Sequence, residues 1–374
     1  MAWGTFFNIH IAAIPAKAGI QTWPIDGWKW SCRIALALLL VILLTACGAS
    51  APPDRQTIAL DSRTLGFIDE LAHPSDALPQ RITGSLMMPS GTPAGVKVPA
   101  MVILHGGTGQ GSQDWFYARL LNEWGIAALA VDSFSGRKVK ETIFDQAAVS
   151  EASIIADAYT ALGILSKDPR IDSQRIGIMG FSKGAGPALL ASLERFRGTL
   201  ATEDSRFALH VAFYPWCGFS FLEETATGAP VLILSGGLDR VTPAALCADF
   251  AGRLKHDNPG LSIDMQVYPA GGHAFDYPHP YFRLVEKLPV RGNLPVRCFF
   301  TETEPNVFVE HASNLTVTAA SVRYAFGLCS GPDPAAQAIY DPDGTRDALA
   351  RFEALVRTTL LGPPPQPATV GAAR

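Results

Sequence analysis

Charge is sparse in this chain. Of its 374 residues 17% are Asp, Glu, Lys or Arg, and the formal net charge is only −4. No basic stripe interleaved with aromatics occurs, so nucleic acid is not an expected partner. CxxC pairs and His-rich spacings are also missing, and neither a metal nor another cofactor is expected. No internal repeat is present, which excludes solenoids and propellers. What the chain does have is a hydrophobic content of 48%. That is enough for the core of one large α/β domain with additions, or of two small domains.

The N-terminus carries a distinct signal. Arg33 precedes an unbroken apolar stretch over residues 34–44, followed by Thr45-Ala46-Cys47. The run is too short to span a bilayer as a helix but suits the apolar region of a secretory signal. Leu44-Thr45-Ala46-Cys47 resembles the lipobox of bacterial lipoprotein signal peptides. That resemblance implies lipid modification of Cys47, a lipid anchor to the membrane, and a location in the cell envelope facing the periplasm or exterior. Residues 1–46 are therefore expected to be a signal segment with a long N-terminal extension, and 47–60 a flexible tether. Residues 61–361 form the expected main domain, and the Pro-rich 362–374 a disordered tail.

Beyond Cys32 and Cys47 four cysteines remain: Cys217, Cys247, Cys298 and Cys329. An even number outside the cytoplasm suggests disulfides. Of the three pairings, Cys217–Cys247 with Cys298–Cys329 is favoured. The first links two neighbouring strand-plus-loop units, and the second closes a later insertion.

Strand and helix patterns alternate along the chain. Apolar runs at 98–104, 126–131, 175–179, 208–214 and 231–235 read as buried strands, and 261–267 as a further strand. Residues 81–88 read as an early antiparallel strand. Helical patterns occupy 113–124, 142–166, 243–254 and 345–360. The expected fold is α/β, with a mostly parallel central sheet covered by helices on both faces. Between 277 and 339 the alternation fails, and that stretch is expected to be an inserted subdomain or lid.

The chemistry centres on Gly180-Phe181-Ser182-Lys183-Gly184, placed between a buried strand and a small-residue helix. A serine nucleophile needs a base, and the base needs an orienting carboxylate. Asp239 follows the strand at 231–235, and His273 follows that at 261–267 on a Gly-rich loop. The chain order Ser182, Asp239, His273 is that of a nucleophile-elbow triad. Backbone donors for a developing oxyanion are expected from Lys183 and from Gly107 or Thr108 after the strand at 98–104. His105 reads as a buttress of that loop.

These motifs, with Val131-Asp132-Ser133-Phe134 and Gly272-His273-Ala274-Phe275, resemble the α/β-hydrolase superfamily in its dienelactone hydrolase-like branch. The resemblance implies an α/β-hydrolase fold and a small-molecule ester substrate. It departs from the branch's namesake in placing Ser182 where that enzyme has cysteine, which favours simple esters cleaved through an acyl-enzyme. Arg137 and Arg240 fall near the expected site edge but read as solvated. Asp276 reads as a turn cap in preference to a second orienting carboxylate. Asp341-Pro342-Asp343-Gly344 reads as a turn and helix start in preference to a calcium loop. Two other functions share this scaffold: an exported serine exopeptidase, and a non-catalytic cell-envelope protein.

Overall fold

Two strands with one apolar and one polar face open the sheet. They are β1 (Arg55–Thr64) and β2 (Leu78–Met87), paired antiparallel with Asp61 opposite Arg81. The computed structural model describes residues 55–201, 205–277 and 287–362. The expected signal segment with Cys32, Cys47, and the expected tail from 363 onward lie outside the described residues. The expected tether 47–60 is cut short, because β1 already begins at Arg55.

The next strands are buried on both faces: β3 (Val98–Leu104), β4 (Ala127–Asp132), β5 (Ile171–Phe181) and β6 (His210–Phe213). After the short β7 (Phe219–Ser220) come β8 (Val231–Gly236) and β9 (Ile263–Tyr268). The main sheet has the order β1-β2-β4-β3-β5-β6-β8-β9 and is parallel from β4 to β9.

Successive side chains of a strand point to opposite faces, so each strand feeds two cores. In β3, Ala100, Val102 and Leu104 enter one cluster, while Met101 and Ile103 enter the other. The second cluster is covered by α1 (Ser112–Glu123). The first takes α2 (Glu151–Lys167), α3 (Ala185–Leu190), α4 (Glu194–Leu200) and α5 (Ala244–Asp257). Among the described residues no helix is long and apolar enough to cross a membrane.

The helix expected from 142 starts at Glu151 instead. Ser150 caps it by accepting a hydrogen bond from the Ser153 amide at 3.0 Å. Residues 142–149 form a loop, because the Glu141 carboxylate takes the Ile143 amide and the Gly107 carbonyl takes that of Thr142.

The insertion is a second, smaller structure. It holds β10 (Lys287–Pro289), β11 (Phe300–Glu304), β12 (Val307–Glu310), β13 (Leu315–Val317), α6 (Val322–Cys329) and β14 (Gln337–Ile339). Its sheet, β13-β12-β11-β7, borrows its last strand from the body. Phe300 and Phe308 pack edge-on to Phe67 at centroid distances of 5.3 and 5.6 Å, inside the core that α2 covers. The insertion is thus joined to the body by a shared core. The closing helix α7 (Pro342–Val356) packs Ala348, Phe352 and Val356 onto the face of α1.

Candidate active site

Ser182 joins β5 to α3 with φ of +49°, a left-handed conformation that few side chains adopt. The turn is tight enough to need glycine on both sides. A Cβ at Gly184 would lie 2.5 Å from the Leu104 carbonyl oxygen, and one at Gly180 would lie 2.8 Å from the Ala185 nitrogen. Such strain survives only where the surrounding structure enforces it, and it lifts the serine above the sheet edge.

Two loops from the same edge meet it. The Ser182 hydroxyl donates to His273 Nε2 at 2.9 Å, and His273 Nδ1 lies 2.9 Å from Asp239 Oδ2. Asp239 is fixed in turn. Its Oδ1 accepts the amides of Val241 (2.7 Å) and Thr242 (2.9 Å), and the Thr242 hydroxyl lies 2.9 Å from Oδ2. With both oxygens engaged, the buried carboxylate has one orientation.

The His273 loop is held from the insertion side. The amides of Gly272 and His273 donate to the carbonyls of Ile339 and Gln337 in β14 at 3.1 and 3.2 Å. Glycine is needed at 272 because a Cβ there would meet Gln337 O at 2.8 Å. Tyr214 sets its ring edge-on to the imidazole, with centroids 5.0 Å apart.

The loop after β3 passes beside Ser182. A Cβ at Gly106 would stand 3.7 Å from Ser182 Cβ, and one at Gly107 would stand 3.9 Å from Lys183 Cβ. Gly107, Thr108 and Lys183 therefore share one wall with Ser182. His105 is buried behind them. Its Nδ1 bonds the Gly106 carbonyl at 2.8 Å, and its Nε2 accepts the Ser133 amide, so it buttresses the loop.

Other candidates are placed elsewhere. Arg137 is buried, its guanidinium paired with Asp157 through bonds of 2.8 and 2.9 Å and capped onto the Arg63 carbonyl; it ties β1 to α2. Arg240 pairs with Asp333 on the surface. Asp276 is neither a turn cap nor an orienter of His273. It is buried, accepting from the Tyr117 hydroxyl at 2.5 Å and from Gln113 Nε2 at 3.1 Å. Burial raises its carboxyl above the usual carboxylate range, and holds the hydroxyls of Tyr117 and Tyr214 well above theirs. Asp341 caps α7 through the Gly344 amide, which accounts for the Asp-Pro-Asp-Gly stretch.

Cys217 is bonded to Cys247, and Cys298 to Cys329. The first bond ties the loop after β6 to α5. The second closes the insertion between the approach to β11 and the end of α6.

A cavity of about 350 Å³ opens over Ser182 and His273. Ile143, Trp216, Val241, Leu294 and Phe326 make its walls mostly apolar. Two polar features there escaped the sequence. The Lys183 side chain turns into a buried ion pair, with Nζ 2.6 Å from Glu151 Oε1 and 2.9 Å from the Gln146 carbonyl. Arg291 lines the cavity from the insertion, its side chain exposed. The only signal available for Lys183 was its place next to Ser182; Glu151 and Arg291 offered none.

A parallel sheet with a strained serine after β5, an acid after β8 and a histidine after β9 defines an α/β-hydrolase. The chain belongs to the dienelactone hydrolase family, whose model matches residues 87–302. An uncharacterized protein of Mycobacterium tuberculosis (strain H37Rv) is 28% identical over 162 residues, covering 40% of this chain and 55% of that protein. The chain thus spans about half the length of the curated relatives it matches. A candidate dienelactone hydrolase from Klebsiella pneumoniae superposes with a TM-score of 0.47 at 16% identity, over 80% of this chain and 98% of that one. The native esterase Est2 of Thermogutta terrifontis gives 0.42 at 17% identity, over 55% and 84%.

Proposed function

We propose that this hydrolase cleaves small-molecule carboxylic esters through an acyl-enzyme on Ser182. His273 takes the serine proton and returns it to the leaving alcohol, and Asp239 holds the imidazole with Nδ1 protonated. The backbone amides of Lys183 and of Gly107 or Thr108 receive the oxyanion. The observation that carries this reading is the chain of two 2.9 Å contacts through His273, joining Ser182 to Asp239. Water then attacks the acyl carbonyl with His273 again as base, releasing the acid and restoring the serine.

The test is hydrolysis of short p-nitrophenyl esters by Ser182→Ala, with labelling by a fluorophosphonate alongside. Both should vanish in the variant while its folding transition is kept. Turnover at the wild-type rate would remove Ser182 from the mechanism.

We also propose that the chain is exported and anchored through a lipid on Cys47, from the lipobox-like Leu44-Thr45-Ala46-Cys47. Fatty-acid labelling in a bacterial host should mark the wild type and not Cys47→Ser. Equal labelling of both would refute the anchor.

A further inference from the structure

The cavity over Ser182 is mostly apolar, and Lys183 and Glu151 meet at one of its walls. Both side chains are about nineteen-twentieths buried, at 5% and 6% exposure. A buried ion pair contributes little net stability, because desolvating two charges offsets their attraction, and apolar residues of similar volume serve a fold as well. Its position in a substrate cavity therefore asks for a ligand.

The pair also has spare hydrogen-bonding capacity. Lys183 Nζ has three protons, and the described residues accept two of them: Glu151 Oε1 and the Gln146 carbonyl. Glu151 uses Oε1 alone for Lys183, and no described residue donates to Oε2. Lys183, Glu151 and Gln146 all line the cavity. One unpaired donor thus stands beside one unpaired acceptor in a mostly apolar chamber.

A hydroxyl group matches that arrangement, since it donates and accepts from a single atom. A methyl in its place would leave both charged groups unanswered. A carboxylate would face repulsion from Glu151. The carboxylate is itself held at the first turn of α2, where the helix dipole favours a negative charge, and its attachment there does not depend on substrate.

We propose that Lys183 and Glu151 form a hydroxyl-recognition subsite, and that the preferred substrates are esters bearing a neutral hydroxyl on the acyl or alcohol portion. This rests on the cavity being the site of ester cleavage by Ser182. Sites built to bond a hydroxyl reject the analogue lacking it far more strongly than apolar pockets sort methylenes.

The test compares ethyl 3-hydroxybutyrate with ethyl 3-methylbutyrate, and 2-hydroxyethyl butyrate with propyl butyrate, each pair exchanging hydroxyl for methyl. The wild type should prefer the hydroxyl member of at least one pair by about tenfold or more in kcat/KM. That ratio should fall to near one in the double variant Glu151→Leu/Lys183→Met, and fall in Glu151→Gln, which keeps size and shape should the double variant fold poorly. Fluorophosphonate labelling of Ser182 is read in parallel. Labelling with no hydroxyl preference, or a preference that survives both variants, would overturn the subsite and leave the nucleophile standing. A larger gain from a carboxylate, as in monoethyl succinate, would move recognition to Arg291 and likewise overturn it. Loss of labelling and of all ester turnover in the wild type would take down the nucleophile, and the subsite with it.

Discussion

The body and the insertion solve different problems. The parallel sheet sends Ser182, Asp239 and His273 from the ends of β5, β8 and β9, of which β8 and the end of β5 are buried on both faces. The insertion supplies no member of that trio. It supplies Val290, Arg291, Leu294 and Phe326 as cavity walls, and β14 as the rail for the His273 loop. On the proposed function, chemistry belongs to the body and selection to the insertion, and a shared aromatic core joins the two.

The largest effect should come from the body. Asp239→Asn removes the negative charge and allows the imidazole its wrong tautomer, so kcat should fall by about 10³–10⁴-fold with KM little changed. Steady-state kinetics on one ester measures this. A drop of only a few-fold would mean that Thr242 and Tyr214 alone orient His273.

The insertion should respond in stability and preference. Cys298→Ala/Cys329→Ala opens a loop of sequence separation 31. It should cost roughly 2–4 kcal/mol in denaturant unfolding. Acyl-length preference should change while labelling of Ser182 persists, because that bond lies in the insertion and the serine in the body. Unchanged preference would contradict the division of labour.

Acid should find the body first. His210 on β6 is fully buried, its Nδ1 bonded to the Ala188 carbonyl, and burial lowers its pKa to about 4. The unfolded chain binds that proton near pH 6.5, so the folded state is favoured in full above about 6.5 and loses ground as pH falls towards 4. The loss should reach about 3 kcal/mol, and His210→Asn should flatten that part of the stability–pH curve. An equally steep curve in the variant would place the acid sensitivity elsewhere.

The smallest effect tests the joint between the regions. Gly272→Ala places a Cβ 2.7 Å from Ile339 Cγ1. It should destabilise by about 1–3 kcal/mol and lower kcat more than it alters KM. Wild-type kcat would show that β14 does not position His273.

Legibility followed the same division. Strands β3 to β6 and β8 were readable because burial on both faces writes apolar runs, and Ser182, Asp239 and His273 because each follows a readable strand. The first part of β1, residues 55–60, was read as tether because an edge strand with one wet face, Arg-Gln-Thr-Ile-Ala-Leu-Asp-Ser-Arg-Thr, has only a short apolar centre. Residues 142–149 have helical spacing but are held as a loop by tertiary bonds, including Asn293 to the carbonyls of Ile143 and Phe144. The pairing of Lys183 with Glu151, and the burial of Asp276 with Tyr117 and Gln113, join residues far apart in the chain. Local pattern carries no trace of such contacts. The insertion's borrowed strand β7 is two residues long and was invisible for the same reason.

The most direct measurement is the peptide map of folded protein treated with a fluorophosphonate. A single adduct on Ser182, lost in His273→Ala under the same exposure, is the expected result. An adduct on another residue, or an unmodified Ser182 in active protein, would contradict the account.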